Sequence, residues 1–309
     1  MEALIEVIAP VFLVLGFGWL VVWRGILSDA TVEGMMNFTQ TIGIPVLLFR
    51  AISTIDLAQD FDLTLLVSFY TGAVAGFFAG LFGARYLFGR GWEDAVAIGF
   101  CCLFSNSLML GLPITERAYG ADALTSNFSI IAIHSPFCYL IGISAMEIAR
   151  NRGGNPLVIA GSIVKAMSRN ALVIGIALGF VVNLSGVVLP GVMSEALDLI
   201  GGSAIPLALF ALGGVLFRYR PEGDLRTVGY VCAVSLVLHP AVVWGMGTAL
   251  DLSPAQFRSA VITASVAPGV NAYVFANMYG AARRVAASAV LIGTGCAFFT
   301  VWIWLALLG

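Results

Sequence analysis

The sequence has little charge. Asp, Glu, Lys and Arg make up only 10% of its 309 residues, hydrophobic residues make up 60%, and mean hydropathy is +0.99. A soluble domain carries about a quarter charged residues, so this composition excludes one and implies a polytopic protein of the lipid bilayer. A net charge of −2 leaves no basic footprint for nucleic acid. The five cysteines (Cys101, Cys102, Cys138, Cys232, Cys296) fall in apolar runs without CxxC spacing. Neither a disulfide framework nor a metal site is expected. GxSxG, HExxH and paired-aspartate signatures are missing, which argues against an intramembrane enzyme. The chain opens with Glu2 and Glu6 and a long apolar run, so a cleaved leader is not expected.

What is present is a series of charge-free runs. Ten read as candidate spans: Val7–Trp23, Gly34–Phe49, Leu63–Ala84, Ala95–Thr115, Ala123–Met146, Asn170–Val188, Leu199–Phe217, Thr227–Leu250, Ser259–Ala282 and Val285–Leu308. A span needs about 20 residues, so the short second run is expected to continue past Arg50. Residues 156–169 carry Lys165 and Arg169 and read as an interfacial lead-in to the sixth span. Odd-numbered loops hold 12 basic residues, and even-numbered loops hold only Arg117 and Arg258. That bias places the odd loops in the cytoplasm and both termini on the non-cytoplasmic side. The loops leave no room for an inserted soluble domain.

The chain repeats itself. IPVLLF (44–49) returns as IPLALF (205–210) at an offset of 161, and AYG (118–120) returns as MYG (278–280) at 160. A repeat of five spans enters the membrane from opposite sides in its two copies. That is the inverted topology of many secondary transporters. The organisation expected is a first five-helix repeat over 1–148, a connection over 149–155 and a second repeat over 156–309.

The fourth and ninth runs are poor helices at mid-span. One contains SNSLMLGLP, with Ser105, Asn106, Ser107, Gly111 and Pro113. The other contains APGVNAYVF, with Pro268, Gly269, Asn271 and Tyr273. Interrupted segments at corresponding places in two halves point to a transporter's binding site, because irregular backbone at membrane depth survives only when buried or lining a wet cavity. A break frees helix N-termini that favour an anion. Asn106 and Asn271 add amide donors without permanent charge, although each could equally serve only the freed backbone. Neither break contains Asp or Glu, which argues against cation–proton exchange. The nearest acid, Glu116, is either a coupling group or a rim residue.

His134 and His239 are the only histidines, and each lies close before a proline. His134 is a candidate for proton coupling, or else a neutral side chain bonding a freed carbonyl. Arg50 either draws anions toward the cavity or reaches the interface to pair with Asp56. Pro45 and Pro206 are expected to kink their spans.

NFTQTIGIPVLLFRA (37–51), SNSLMLGLPI (105–114), NPLVIAGSI (155–163), SAIPLALFALGGVL (203–216) and APGVNAYVFANMYG (267–280) resemble the auxin efflux carrier family, which includes plant PIN proteins and bacterial malonate and dicarboxylate carriers. The resemblance covers both halves. It implies an all-α, ten-span fold, with a dimerising scaffold from spans one, two, six and seven. Spans three to five and eight to ten would form a transport domain whose broken fourth and ninth spans cross. It places a substrate carboxylate against Asn106 and Asn271, beside Pro113 and Pro268, and implies elevator-type movement. Without a long cytoplasmic loop the chain is similar to the bacterial, inner-membrane branch. The expected function is transport of a mono- or dicarboxylate, driven by Na+, H+ or neither and without another cofactor. The alternative is a membrane sensor binding a carboxylate at the same crossing.

Overall fold

The computed structural model describes residues 2–54, 62–151, 157, 161, 164–165, 168–219 and 224–309. Its helices are α1 (Glu2–Trp23), α2 (Asp29–Phe38), α3 (Ile44–Thr54), α4 (Leu63–Tyr86), α5 (Trp92–Leu103), α6 (Leu112–Tyr119), α7 (Leu124–Asn151), α8 (Ala171–Ser185), α9 (Gly191–Arg218), α10 (Leu225–Ala233), α11 (His239–Ala249), α12 (Pro254–Ser265), α13 (Val270–Tyr279) and α14 (Arg283–Leu308). Among the described residues there is no strand, only one isolated bridge between Ser105 and Pro268. Among the described residues, seven helical segments are long and apolar enough to cross a membrane: α1, α2–α3, α4, α7, α9, α10–α11 and α14. Helix α8 is apolar but shorter. The fourth and ninth apolar runs are each split, into α5 and α6 and into α12 and α13. The chain is a multi-pass helical membrane protein.

Three π-turns interrupt the helices, at Thr39–Gly43, Ser107–Gly111 and Val234–Leu238. Each ends two residues before a proline, namely Pro45, Pro113 and Pro240. Proline lacks an N–H, and its ring clashes with the carbonyl four residues back. A wider turn relieves that clash while the helix continues. Pro206, matched to Pro45 in sequence, instead lies inside the unbroken α9.

Helix α1 packs on α9, and α3 packs on α8 and α9. Glycine makes these contacts backbone-close. A Cβ on Gly18 would overlap the Phe210 carbonyl oxygen, and one on Gly213 would overlap that of Leu15. A Cβ on Gly179 would sit 3.0 Å from the Phe49 carbonyl oxygen. Lipid tails are as apolar as the side chains, so close van der Waals contact replaces the hydrophobic effect as the adhesive. Elsewhere α4 packs on α5 and α11, and α14 packs on α10, α12 and α13.

The second apolar run continues past Arg50 to Thr54, as expected, although its segment starts earlier, at Asp29; the seventh run needs correction, because its helix begins at Gly191. Charge hid the start of the latter, since Glu195 and Asp198 lie within α9. Asp198 is matched by Arg50, whose Nε and Nη2 donate to its two carboxylate oxygens at 2.7 and 3.0 Å. Arg50 therefore pairs across α3 and α9; the expected partner Asp56 lies outside the described residues. The lead-in over 156–169 is likewise largely outside them.

Gly18→Val is expected to abolish the monodisperse size-exclusion peak of the detergent-extracted protein. Gly16→Val should be tolerated, because nothing lies within 4 Å of its Cβ position. A Gly18→Val protein eluting like the parent would contradict the α1–α9 contact.

Candidate functional site

The two broken runs meet at their breaks. Helix α5 stops at Leu103 and the chain turns extended at Phe104; α12 stops at Ser265 and the chain is extended at Val266. The Asn106 N–H donates to the Ala267 carbonyl, and the Gly269 N–H donates to the Phe104 carbonyl, both at 2.8 Å. Each break thus supplies partners for backbone groups that its own helix cannot satisfy, at a depth where no water does so. A Cβ on Gly269 would approach the Phe104 ring to 3.1 Å, so a larger residue would push the strands apart. The His134 Nε2–H donates to the Ser105 carbonyl at 3.2 Å, and Cys138 Sγ lies 3.8 Å from its Nδ1. Helices α6 and α13 both end at a glycine with positive φ, Gly120 (φ 86°, ψ 173°) and Gly280 (φ 71°, ψ 13°). Only Gly280 is a left-handed helical cap; Gly120 is extended on the positive-φ side, which also requires glycine. The repeated Tyr-Gly is therefore a pair of helix stops of different conformation.

A cavity of about 240 Å³ opens beside the bridge. The break residues, with His134 and Ser135 of α7, line one wall. Gln40, Ile44 and Leu48 of the second segment and Arg169 to Leu172 at the start of α8 line the other. Among the described residues, no Asp or Glu lines it. Ser105 Oγ and Asn106 Nδ2 are buried with no hydrogen-bond partner among the described residues, and such a group is costly unless a ligand or water completes it. Helix α13 begins at Gly269 without a side-chain cap, so its first N–H groups also face the break with a positive dipole end.

Of the residues singled out in the sequence, Ser105, Asn106, Ser107, Gly269, Asn271 and His134 converge on this cavity. The others do not line it. Gly111 lies against Thr263. Pro113 is buried in the first turn of α6, and Pro268 is held in the bridge with Ser105. Tyr273 stands two helical residues after Asn271, about 200° round the axis. It therefore faces away and packs on Tyr219 at 4.9 Å, in a separate cavity with Arg218, Arg283 and Arg284. Glu116 is exposed on α6.

The profile of the membrane transport protein family matches residues 3–305. The chain belongs to that family. It is 25% identical over 277 residues to the "Putative malonate transporter" of Rhizobium meliloti (strain 1021), covering 87% of this chain and 84% of that one. It is 24% identical over 229 residues to auxin efflux carrier component 5 of Arabidopsis thaliana, covering 62% and 64%. The resemblance read from the short motifs is borne out, and this family member is a membrane transporter, not an enzyme.

Three features of this transporter were not picked out from the sequence. Asn127 is fully buried, and its Nδ2 donates to Thr263 Oγ1 at 2.7 Å and Thr115 Oγ1 at 3.3 Å. It thereby ties α6 to α12 behind the crossing. A lone Asn in an apolar run was the signal, the same one that singled out Asn106. The two histidines, unrelated by the repeat, flank one ring: Phe69 lies 5.7 Å from His134 and 5.4 Å from His239. Finally, Asp62 caps α4 through Thr64 and accepts from Gln256 Nε2 at 2.9 Å, anchoring α12.

The Thr64 hydroxyl holds the Asp62 carboxyl below its ordinary value of 3.8. A carboxyl with a lowered folded pKa stabilises the fold fully above its unfolded pKa, and the contribution is lost as pH falls through the folded value. Asp62→Asn is therefore expected to lower the melting temperature in detergent at pH 7 by roughly 2–4 °C. The difference from the parent should shrink below about pH 4. A pH-independent difference would assign the effect to the amide and not to the charge.

Proposed function

We propose that the protein carries a small organic anion, a mono- or dicarboxylate, across the bacterial inner membrane, with the substrate carboxylate held at the meeting of the two breaks. The observation that carries this reading is the pair of orphaned donors, Ser105 Oγ and Asn106 Nδ2, in a cavity with no acidic residue among the described residues that line it. Unpartnered donors, a bare helix N-terminus and the absence of opposing negative charge all favour an anion. The relative named as a malonate transporter agrees with that class.

The same proposal includes ten spans in two inverted repeats. Gly18 touches the Phe210 carbonyl and Gly179 touches the Phe49 carbonyl. Gly18 and Gly179 are 161 residues apart, as are Phe49 and Phe210, so one contact is the repeat image of the other. The α1–α9 and α3–α8 packings form a matching pair, as do α4–α5 and α11–α12. In this scheme α1, α2–α3, α8 and α9 are the scaffold, and the proposed dimer forms through it. The remaining helices are the transport domain. The cavity lies on the boundary between the two, where an elevator movement would slide one past the other. Arg169, from a loop that the basic-residue bias puts in the cytoplasm, lines the cavity, which supports reading this conformation as open inward. His134 spends its Nε2 proton on the Ser105 carbonyl and supports the crossing. Any Na+ or H+ coupling is read from transport under each gradient.

The test is uptake of labelled malonate, malate and lactate into liposomes. Asn106→Ala and Asn271→Ala are each expected to reduce transport about ten- to hundredfold, the value of a hydrogen bond to a charged group. Both should leave the size-exclusion profile unchanged. Normal transport by either variant would remove that residue from the site. Binding without any translocation by the parent would favour a sensor instead.

A further inference from the structure

We infer that Arg169 sets selectivity for a second negative charge, so that the cavity holds a dicarboxylate between two poles. This rests on the anion reading above and narrows it. Among the described residues lining the cavity, Arg169 is the one cation, and no carboxylate opposes it. Its side chain has no hydrogen bond or ion pair with any described residue. The other arginines at the helix ends mostly have such partners: Arg50 with Asp198, Arg90 with Asp224, Arg150 with Glu93 and Arg218 with Glu33. Arg169 is thus left for something else.

Its position is fixed by its neighbour. Asn170 Oδ1 accepts from the Leu172 N–H at 2.9 Å and caps α8. That cap places Arg169 immediately before a helix N-terminus whose first residues, Ala171 and Leu172, face the cavity. The charge and the dipole end have the same sign and add. Across the cavity stand the orphaned donors of Ser105 and Asn106. The rest of the lining mixes apolar Ile44, Leu48 and Ile176 with uncharged polar Gln40 and Thr41. Two groups of donors, with no carboxylate among the described lining residues, match a short chain carrying a carboxylate at each end. The guanidinium fork suits a carboxylate in two-point contact, which an ammonium cannot reproduce. Arg169 is water-exposed, so a monocarboxylate can bind at the crossing without stranding a buried charge. The discrimination therefore comes from the added contact and not from a penalty.

The test compares malonate with its monomethyl ester, which keeps the length and removes one charge. Binding of each to the full-length protein in detergent is followed by calorimetry. The parent is expected to bind malonate about fivefold tighter than the ester, the upper value of an exposed ion pair. Arg169→Gln should bring the two to within about twofold by weakening malonate alone, and Arg169→Lys should fall between. Equal binding of malonate and ester by the parent overturns the inference, and needs no variant. So does an Arg169→Gln protein that keeps the parent's preference. Loss of both ligands in equal measure in Arg169→Gln would also overturn it, since Arg169 would then act on the cavity as a whole. The broader anion reading fails separately, if neither ligand binds the parent or if Asn106→Ala leaves both unchanged.

Discussion

A peptide group in hydrocarbon must find its hydrogen-bond partner within the protein. Two helices broken at mid-membrane violate that requirement unless something meets the open backbone. Here each break meets the other, through Asn106 to Ala267 and Gly269 to Phe104. The bridge is two residues wide, yet other features follow from it. Gly269 is small because the opposing Phe104 is close. His134 donates to the remaining Ser105 carbonyl. Asn127 braces the helices behind. The cavity exists because the chain is extended where a helix would have filled the space.

Much of this was legible in the sequence because lipid is a strict solvent. A run without charge marks a membrane segment, and Asn, Gly and Pro inside such a run mark a place where it fails. Those two statements located both breaks and five residues of the cavity, Ser105, Asn106, Ser107, Gly269 and Asn271. The same rule misplaced the start of α9, since a charged residue can lie within a helix when a partner crosses to it, as Arg50 does to Asp198. Side-chain direction was less legible. Tyr273 and Asn271 are two apart in sequence and belong to different cavities. The meeting of His134 and His239 around Phe69 was also out of reach. Their spans are related by packing and not by the repeat.

The repeat itself has an unequal imprint. The Tyr-Gly pair persists because both α6 and α13 stop at a residue with positive φ, which glycine adopts without strain. The Gly18–Phe210 and Gly179–Phe49 contacts persist because each is a place where no side chain fits. The matched prolines Pro45 and Pro206 diverged, one following a π-turn and the other lying within a regular helix. Stereochemical necessities have outlasted similarity of sequence.

The bridge also governs the order of assembly. The partners of Phe104 and Asn106 are Gly269 and Ala267, about 160 residues further along the chain. Until the later segment is inserted, the first break has no one to bond with. The N-terminal half can therefore enter the bilayer but cannot complete its own interior. During synthesis it must wait, with open peptide groups sheltered by water, by the insertion machinery or by neighbouring helices. Such a wait makes the two halves obligate partners, even when they are supplied as separate polypeptides. Assembly is then a long-range event, slow by its loop-closure entropy, and its final step is the closing of four backbone groups on one another.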